Sequence, residues 1–513
     1  MTLADARQAF LDGDFERCLA LCDAVRAHRD AARLEIAILR ARVHVRLDRG
    51  DRALEALREI EFTALSVDHY VTVQMLTGAA YIRIGQKTRG DEILTDAQAK
   101  AVDAHPTVRA ELSLQLAIAK FRLGAYADAD RLLVQVQPDQ DIVYAHALEY
   151  RGWIAQARGE FESAAGWFRA ALAALAFCRQ RDRYVEAKSL YGLAALAPEL
   201  LLTADWPAVE SRLRAFDWSA SGVTRWRFWV NIAASLMAEM TGDAASARLW
   251  ARRAEQDADG DGYRVVALCR LAAIFRGLRQ ADAHAEFVER AQEIYNTLDV
   301  RSLGADLQQL PLYLAEEAVP KNARSQADAL FAQYREVIRP ALKSSLGDSE
   351  RYDAMEQYLQ AVVFEARGES VKAVRAFSAA YRVLARFGYR RRATMVALRL
   401  ARLTGKKRYV EYAASALRDV SEQFWMAREL REMQPSSTPA VTETEHAILL
   451  LLVRGKTYKE IGALRGTSWK TVGNHVQSLF RKFAVNSRGE LAAEAMRRGL
   501  VSVHGEGPRA VSG

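Results

Sequence analysis

The stretch RGWIAQARGEFESAAGWFRAALAAL, residues 151–175, consists of two amphipathic segments joined at Gly159. Neither segment alternates between apolar and polar residues as a strand would, and glycine readily ends a helix. Small residues let two helices approach closely, and aromatic rings fill the space between neighbouring helix pairs. The stretch therefore predicts a helical hairpin that packs through residues at helical spacing, namely Gly152, Phe161, Ala164, Phe168 and Ala171.

Glycines at similar turns recur along residues 1–433. The first four intervals are 37, 35, 39 and 35 residues, and the last is 37 residues. Two-helix repeats of about 34 to 40 residues are typical of a helical solenoid, in which each pair buries its apolar face only against its neighbours. The pattern predicts an all-α solenoid and resembles the tetratricopeptide (TPR) family. The glycines are Gly13, Gly50, Gly85, Gly124, Gly159, Gly242, Gly368 and Gly405, and the unit around Gly368 repeats the pattern with Ala361, Ala373, Phe377 and Ala380.

Composition and length limit what the chain can be. With 513 residues, 50% hydrophobic residues and 27% charged residues, it has the composition of a globular protein with a large core. The longest strongly apolar run, residues 447–453, is shorter than the roughly 18 residues that a membrane-spanning helix needs, and the N-terminus has no secretory signal. Four scattered cysteines form neither a disulfide framework nor a metal-ligand pattern. We expect a cytoplasmic protein that does not bind membranes.

The sequence contains no group of residues typical of an enzyme or a cofactor site. There is no glycine-rich phosphate loop, no metal-ligand set and no nucleophile–base pair. Residues 257–262 (DADGDG) resemble the opening of a calcium loop, but the twelfth position is Leu268 instead of glutamate, which favours a polar turn. We therefore expect no enzymatic activity, no catalytic residues, no cofactor and no bound metal.

Two further features have alternative interpretations. The residues Trp206, Trp218, Trp226 and Trp229 favour core packing over a ligand groove, because large rings at helical spacing in a solenoid are usually buried. The run RFGYRRR, residues 386–392, favours a solvated helix end over a second nucleic-acid patch.

The chain changes character after residue 433. Residues 434–440 (QPSSTPA) contain two prolines and three hydroxyl residues, a composition typical of linkers. Between residues 454 and 498, ten lysines and arginines face three glutamates, which supplies most of the net charge of +8 and favours a polyanionic partner. The sequence thus predicts a solenoid over 1–433, a linker over 434–440, a second domain over 441–502 and a disordered tail over 503–513.

Capping motifs predict four short helices in the second domain. A serine or threonine followed three positions later by glutamate can cap a helix reciprocally, and this motif begins at Thr442, Thr457 and Ser487. A further N-cap is Ser468. The helices are expected at about 442–453, 458–464, 469–482 and 488–498.

The residues Gly455-Lys456-Thr457 match the end of a nucleotide-binding loop. Such a loop follows a strand and needs a glycine five positions earlier, but position 450 is leucine and lies within the first predicted helix. We therefore expect Gly455 to end the first helix, Thr457 to cap the second, and ATP not to bind.

The third predicted helix has two chemically different faces. In a DNA major groove, asparagine or glutamine pairs with adenine and arginine with guanine. The pattern alone leaves two interpretations open, a DNA-recognition helix and an exposed polar helix face. The apolar face contains Val472, Val476, Leu479, Phe480 and Phe483, and the polar face contains Lys470, Gly473, Asn474, Gln477 and Arg481.

Residues 441–495 resemble the LuxR-type helix-turn-helix, also called the GerE-like domain. The similarity covers about an eighth of the chain and includes Lys459-Glu460-Ile461 and Asn474-His475-Val476. It implies a bacterial transcription regulator that binds double-stranded DNA through residues 457–476 and pairs two protomers through its fourth helix. It further implies base contacts from Gly473, Asn474 and Gln477, phosphate contacts from Lys470, Thr471 and Lys482, and further DNA contacts from Arg481 and Arg488.

The sequence also departs from the LuxR-type pattern. Relatives usually carry a cation at the position of Gly473, so the target sequence cannot be transferred from them. They carry aliphatic residues at the positions of Arg465 and Thr467, which favours a shifted turn in which Leu464 packs in the core.

Two functions of different classes fit these features. In the first, a cytoplasmic homodimeric transcription regulator uses its solenoid to sense or dock an effector, which could be RNA polymerase, another protein, a peptide or a small molecule. In the alternative, the chain is a TPR scaffold that chiefly binds proteins and contacts DNA weakly. Large ATP-binding members of the LuxR-type group have an ATPase before a TPR-like region, and this chain resembles that class without the ATPase.

Overall fold

The computed structural model describes residues 2–25, 30–58, 60, 65–300, 307, 310–318, 324–340, 350–433, 441–483, 485–497 and 500–501. Within these ranges the chain forms helices and no strand, so the all-α prediction is confirmed. It divides into two compact units, residues 1–433 and 434–513. No helix in the described part is both long and apolar enough to cross a bilayer. The predicted linker over 434–440 and the predicted tail over 503–513 lie outside the described residues.

The described part of the first unit consists of successive α-helices joined by short turns. A 3-10 turn over Pro138–Gln140 and a π-helical turn over Tyr334–Ile338 interrupt the series. The α-helices are α1 (Leu3–Leu11), α2 (Phe15–Ala24), α3 (Asp30–Arg46), α4 (Gly50–Leu57), α5 (Val67–Arg83), α6 (Lys87–Lys100), α7 (Pro106–Arg122), α8 (Tyr126–Val134), α9 (Ile142–Arg158), α10 (Phe161–Phe177), α11 (Arg183–Leu200), α12 (Trp206–Ala215), α13 (Thr224–Met240), α14 (Ala244–Gln256), α15 (Asp261–Gly277), α16 (Ala281–Thr297), α17 (Leu310–Ala318), α18 (Arg324–Gln333), α19 (Glu350–Ala366), α20 (Ser370–Arg386), α21 (Arg390–Thr404), α22 (Lys407–Ala416) and α23 (Trp425–Met433).

These helices pack as consecutive hairpins. The most extensive contacts join α5 to α6, α9 to α10, α13 to α14, α15 to α16 and α19 to α20. The first helix of each hairpin also contacts the first helix of the next, along the series α3, α5, α7, α9, α11, α13, α15 and α17. Each hairpin therefore buries its apolar face against its neighbours, and the predicted TPR-like solenoid is confirmed.

Small residues make this close packing possible. The side chain of Phe168 is fully buried in α10, and a Cβ atom added at Gly152 in α9 or at Gly192 in α11 would lie 2.6 Å from its ring. The residues that predict the hairpin over 151–175, and those of the matching unit around Gly368, are buried.

Most of the predicted glycine turns have the expected geometry. At Gly13, Gly85 and Gly159, for example, φ lies between +74° and +87°, a conformation that glycine adopts without strain. The exception is Gly50, which begins α4 and packs against the carbonyl of Ala80. At that turn the left-handed residue is Asp48, with φ of +57°.

Repeats far apart in the sequence also meet. Three hydrogen bonds of the first unit join residues that are separated by 192, 205 and 216 positions. Hairpins far apart in the sequence therefore also contact each other, because the solenoid winds tightly enough to bring distant repeats together. The three bonds run from Arg391 to Glu199, from the amide of Glu16 to Ser221, and from Thr203 to the carbonyl of Asp419.

This winding buries part of the run over 386–392, which was predicted to be a solvated helix end. The guanidinium of Arg391 is buried and lies 2.8 Å from the carboxylate of Glu199 in α11, and Arg392 lies 3.6 Å from the same carboxylate. The prediction of a solvated helix end is wrong for these two arginines, because α21 packs on α11.

The tryptophans and the aspartates over 257–262 have structural roles. The side chains of Trp206, Trp218 and Trp226 are buried, which confirms the prediction of core packing for them. The carboxylate of Asp257 accepts hydrogen bonds from Arg227 and Asn231 instead of facing the other aspartates. Within the described ranges no group of three His, Cys, Asp or Glu side chains could hold a metal ion.

The described residues of the second unit form four helices, α24 (Glu443–Val453), α25 (Tyr458–Arg465), α26 (Trp469–Phe483) and α27 (Arg488–Arg497), each within one residue of its predicted bounds. Reciprocal capping at Thr442 and Thr457 starts the first two. After α24, Gly455 has φ of +84°, so Gly455 and Thr457 form the predicted helix junction. The core consists of Ile448, Leu449, Leu452, Ile461, Val472, Val476, Leu479, Phe483, Leu491, Ala495 and Val501.

Candidate nucleic-acid interface

The turn between α25 and α26 sets the direction of α26. The left-handed residue Gly466, with φ of +62°, ends α25. At the start of α26, Ser468 Oγ accepts a hydrogen bond from the amide of Thr471 at 3.1 Å. A Cβ atom at Gly462 would lie 2.8 Å from the carbonyl oxygen of Thr467, so α25 and the turn are in close contact. These contacts hold the N-terminal end of α26 in one orientation.

One face of α26 is buried and the opposite face is exposed. The residues Val472, Val476, Leu479 and Phe483 lie in the core, as predicted, and Phe480 is half-buried. On the other side four predicted DNA-contacting residues are exposed at i, i+4, i+7 and i+11, so they form one line along the helix. This exposed face carries two cations and two amides, the chemistry that phosphates and base edges require. Its residues are Lys470, Asn474, Gln477 and Arg481.

The glycine at position 473 lies at the edge of this face. A Cβ atom added there would meet no atom within 4 Å among the described residues. Packing within the unit therefore does not require glycine, and a longer side chain would fit.

A buried carboxylate holds Lys482 away from the exposed face. The side chain of Glu445, in α24, is only 4% exposed and accepts hydrogen bonds from Lys482 Nζ at 2.5 Å, from Ser478 Oγ at 2.8 Å and from the amide of Thr442 at 2.9 Å. One carboxylate thus caps α24 and joins it to α26. The structure gives Lys482, a predicted phosphate contact, a role in positioning the recognition helix.

The same contacts change the acidity of Glu445. Burial by itself raises the pKa of a carboxyl group. Here the hydrogen bonds from Lys482, Thr442 and Ser478 outweigh burial and lower the pKa of Glu445 to about 2. The carboxylate is therefore charged at any physiological pH.

The guanidinium of Arg488, at the start of α27, also bonds within the unit. Its Nη2 donates to the carbonyl oxygens of Leu452 at 2.9 Å and Lys456 at 2.7 Å. These carbonyls lie at the C-terminal end of α24, where a cation compensates unpaired acceptors. The bonds join α27 to α24, so the structure does not bring Arg488 together with the exposed residues of α26.

Two apolar residues of the turn region are exposed. The side chain of Leu464 is 63% exposed and Arg465 is exposed as well, so the predicted shifted turn with Leu464 in the core is wrong. The side chain of Trp469 is 53% exposed at the first position of α26, and Lys470 Nζ lies 5.9 Å from its ring centre. Trp469 is not among the residues predicted to contact DNA, and its aromatic side chain at the start of the polar helix is the signal that points to it.

The second unit is similar in sequence to known proteins. Residues 439–495 match the family described as bacterial regulatory proteins, luxR family. The spore germination protein GerE of Bacillus subtilis (strain 168) is 36% identical over 70 residues, which make up 14% of this chain and 95% of GerE. The similarity thus spans nearly all of GerE and a small part of this chain.

Solved helical structures resemble the chain more weakly. A Rap protein complexed with competence and sporulation factor is 12% identical, covers 72% of this chain and all of its own, and has a TM-score of 0.46. The apo form of the quorum sensor NprR from B. thuringiensis is 10% identical, covers 81% of this chain and 97% of its own, and has a TM-score of 0.38. Both scores lie below 0.5, and neither similarity assigns a ligand to this chain.

Proposed function

Since this chain belongs to the luxR family of bacterial regulatory proteins through its C-terminal unit, we propose that α26 contacts base edges in the major groove and that the helical unit controls this binding. The chain is a DNA-binding transcriptional regulator. The observation that supports the proposed contacts is the exposed line of two amides and two cations on α26, opposite a buried apolar face.

Within this proposal the side chains have separate roles. The amides of Asn474 and Gln477 hydrogen-bond to base edges, and Lys470 binds phosphate. The hydroxyl of Thr471, at the start of α26, faces the phosphate backbone of the DNA. The guanidinium of Arg481 contacts either a guanine or a phosphate. The ion pair of Lys482 and the carbonyl contacts of Arg488 position the helices instead of providing the main DNA contacts.

We further propose that the regulator acts in the cytoplasm and without catalysis. It binds DNA as a homodimer, and α27 joins the two protomers. Its solenoid binds an effector, which is RNA polymerase, another protein, a peptide or a small molecule. The alternative function, a TPR scaffold with weak DNA contact, predicts no sequence preference for DNA.

Selection from random duplex DNA by the full-length protein tests the proposal. We expect enrichment of one motif, with an affinity for it about 10³-fold or more above that for a scrambled duplex at physiological salt. If no motif is enriched and every duplex binds equally, the scaffold function is the better explanation.

We predict that Lys470→Ala weakens binding to the selected and the scrambled duplex alike. Without this phosphate contact, DNA binding releases one counterion fewer. The slope of log K against log salt concentration therefore becomes flatter by about one unit. Titrations of both duplexes at several salt concentrations measure this slope. The matched control is Lys100→Ala in α6, an exposed lysine of the first unit, which should leave the slope unchanged. An unchanged slope for Lys470→Ala would exclude a phosphate contact there.

We predict that residues 434–513 fold without the solenoid. The unit has its own core, and the 70 residues aligned with GerE make up 95% of that protein. Circular dichroism of the isolated fragment should show a helical spectrum and a cooperative thermal transition. A spectrum of an unfolded chain would show that the proposed boundary is misplaced.

A further inference from the structure

A cavity of about 90 Å³ lies in the first half of the solenoid. It lies among α3, α5, α7, α9 and α11, the first helices of consecutive hairpins. None of the contacts proposed for DNA involves this region. Both charged or polar side chains and apolar side chains line it.

Three arginines line the cavity, and one of them, Arg42, is paired with Glu111, which also lines it. The guanidinium of Arg46 forms two bonds to Asp182, at 2.6 and 3.1 Å, and lies 4.1 Å from the ring centre of Phe10. The side chain of Arg83 is only 7% exposed and donates to the carbonyl oxygens of Val45 at 2.6 Å and Ala79 at 3.0 Å. Both guanidiniums are thus held in fixed positions beside the cavity.

The positive charge around Arg83 is only partly compensated. Its shortest distance to Asp48 is 3.6 Å, and Arg122 and Arg225 lie 3.0 and 3.4 Å from the same carboxylate. Three guanidiniums therefore share one negative charge. Only Arg83 is removed from water, since the side chains of Asp48, Arg122 and Arg225 are between a third and a half exposed. A buried charge is costly unless it is paired, so Arg83 favours an additional anion.

The surplus persists when the neighbouring ion pairs are included. The pairs Arg42–Glu111, Arg46–Asp182 and Lys188–Glu149 are each balanced. Together with the group around Asp48, six cations lie near four carboxylates, and the two in excess belong to the group in which Arg122 and Arg225 are partly exposed to solvent.

A second observation points to a ligand in the cavity. The side-chain amide of Gln115 lines it, and Gln115 Oε1 is buried without a hydrogen-bond partner among the described residues. A buried polar atom that lacks a partner is uncommon in folded proteins and often marks a site where something else binds.

The apolar part of the wall limits the class of anion. It is lined by Met75, Leu76, Leu114, Ile118 and Val143. A phosphate ion in this cavity would leave part of its polar surface against these apolar side chains, which is costly. A carboxylate at the end of a short apolar chain places its two oxygens on the arginines and its carbons on the apolar wall.

We propose that this cavity binds a carboxylate that carries a short apolar chain, with Arg83 and Arg46 facing the carboxylate and Gln115 hydrogen-bonded to the ligand. The claim that this cavity is the effector site of the regulator rests on the proposed function. The claim that it binds a carboxylate rests on the cavity alone. The carboxylate belongs either to a small organic acid or to the C-terminus of a peptide that ends in an apolar residue.

Calorimetry and thermal unfolding of the full-length protein test the site without DNA. The probes are hexanoate, N-acetyl-leucine, N-acetyl-leucine amide, inorganic phosphate, and a hexapeptide ending in leucine with a free or an amidated C-terminus. We expect saturable binding of the free carboxylates and at least tenfold weaker binding of the matched amides. Preference for hexanoate identifies a small acid as the source, and preference for the free hexapeptide identifies a peptide terminus.

Variants of the wall separate this site from unspecific binding. Replacement of Arg83→Met should weaken carboxylate binding about tenfold or more, the loss that follows removal of a charge-assisted hydrogen bond. The milder substitution Gln115→Leu keeps the volume of the side chain and should weaken carboxylate binding several-fold. This variant replaces Arg83→Met in the test if Arg83→Met does not fold. The control is Arg131→Met, an exposed arginine of α8.

The proposal is overturned if the amides or phosphate bind as well as the carboxylates, if no probe binds, or if the wall variants bind like the control. The effect of a bound carboxylate on affinity for the selected DNA is measured separately. Failure of that coupling with intact carboxylate binding would count against the effector role and leave the site established.

Discussion

The substitutions Asn474→Ala and Gln477→Ala are each expected to lower affinity for the preferred DNA site by about 1 to 3 kcal/mol and to change affinity for scrambled DNA little. Both amides are exposed on α26, three positions apart, on the side opposite the core. An amide that pairs with a base edge discriminates between bases, whereas a phosphate contact does not. Because neither side chain is part of the core, the variants should stay folded.

Titrations on the selected and the scrambled duplex measure the two affinities for each variant. A matched control is Asn486→Ala, an exposed asparagine of the same unit that precedes α27 and should leave both affinities unchanged. Equal losses on both duplexes would show that this face of α26 does not recognise bases.

The substitution Glu445→Gln should lower the free energy of unfolding of the second unit at pH 7 by about 3 kcal/mol. The carboxylate is buried, caps α24 and pairs with Lys482 of α26. Its pKa falls from the ordinary value of 4.5 to about 2 in the folded protein, and each unit corresponds to about 1.4 kcal/mol. The variant keeps the size of the side chain and removes its charge.

The pH dependence follows from the same shift. A carboxylate with a lowered pKa in the folded state stabilises fully above the pKa of the unfolded chain, near 4.5, and loses this contribution as the pH falls toward 2. The difference between wild type and Glu445→Gln should therefore shrink over that range. Hydrogen exchange of the amides of α24 and α26 in the full-length chain measures local stability at each pH.

A natural control exists one helix later. The glutamate of the second capping box, Glu460, bonds to Thr457 in the same way but is exposed. Glu460→Gln should cost clearly less than Glu445→Gln, because solvent replaces its interactions. Equal losses for the two variants would contradict the role assigned to the buried network.

Local features were predictable from the sequence. The helical hairpin over 151–175 and the four helices of the second unit follow from residues within a few positions of one another. The same holds for the buried and exposed faces of α26, which depend only on the helical period. The DNA contacts assigned to Asn474 and Gln477 stay predictions, since they depend on a partner.

Other features depend on residues far apart in the chain, and only the tertiary structure decided them. Small rotations between successive hairpins add up until repeats about 200 residues apart meet, which buries Arg391 beside Glu199. Tertiary packing also brings Glu445 of α24 to Lys482 of α26. In the first unit it assembles the arginines around Asp48 beside the cavity. Sequence periodicity determines which face of each helix is apolar. It does not determine which distant charge lies opposite, because that depends on the summed geometry of every intervening turn.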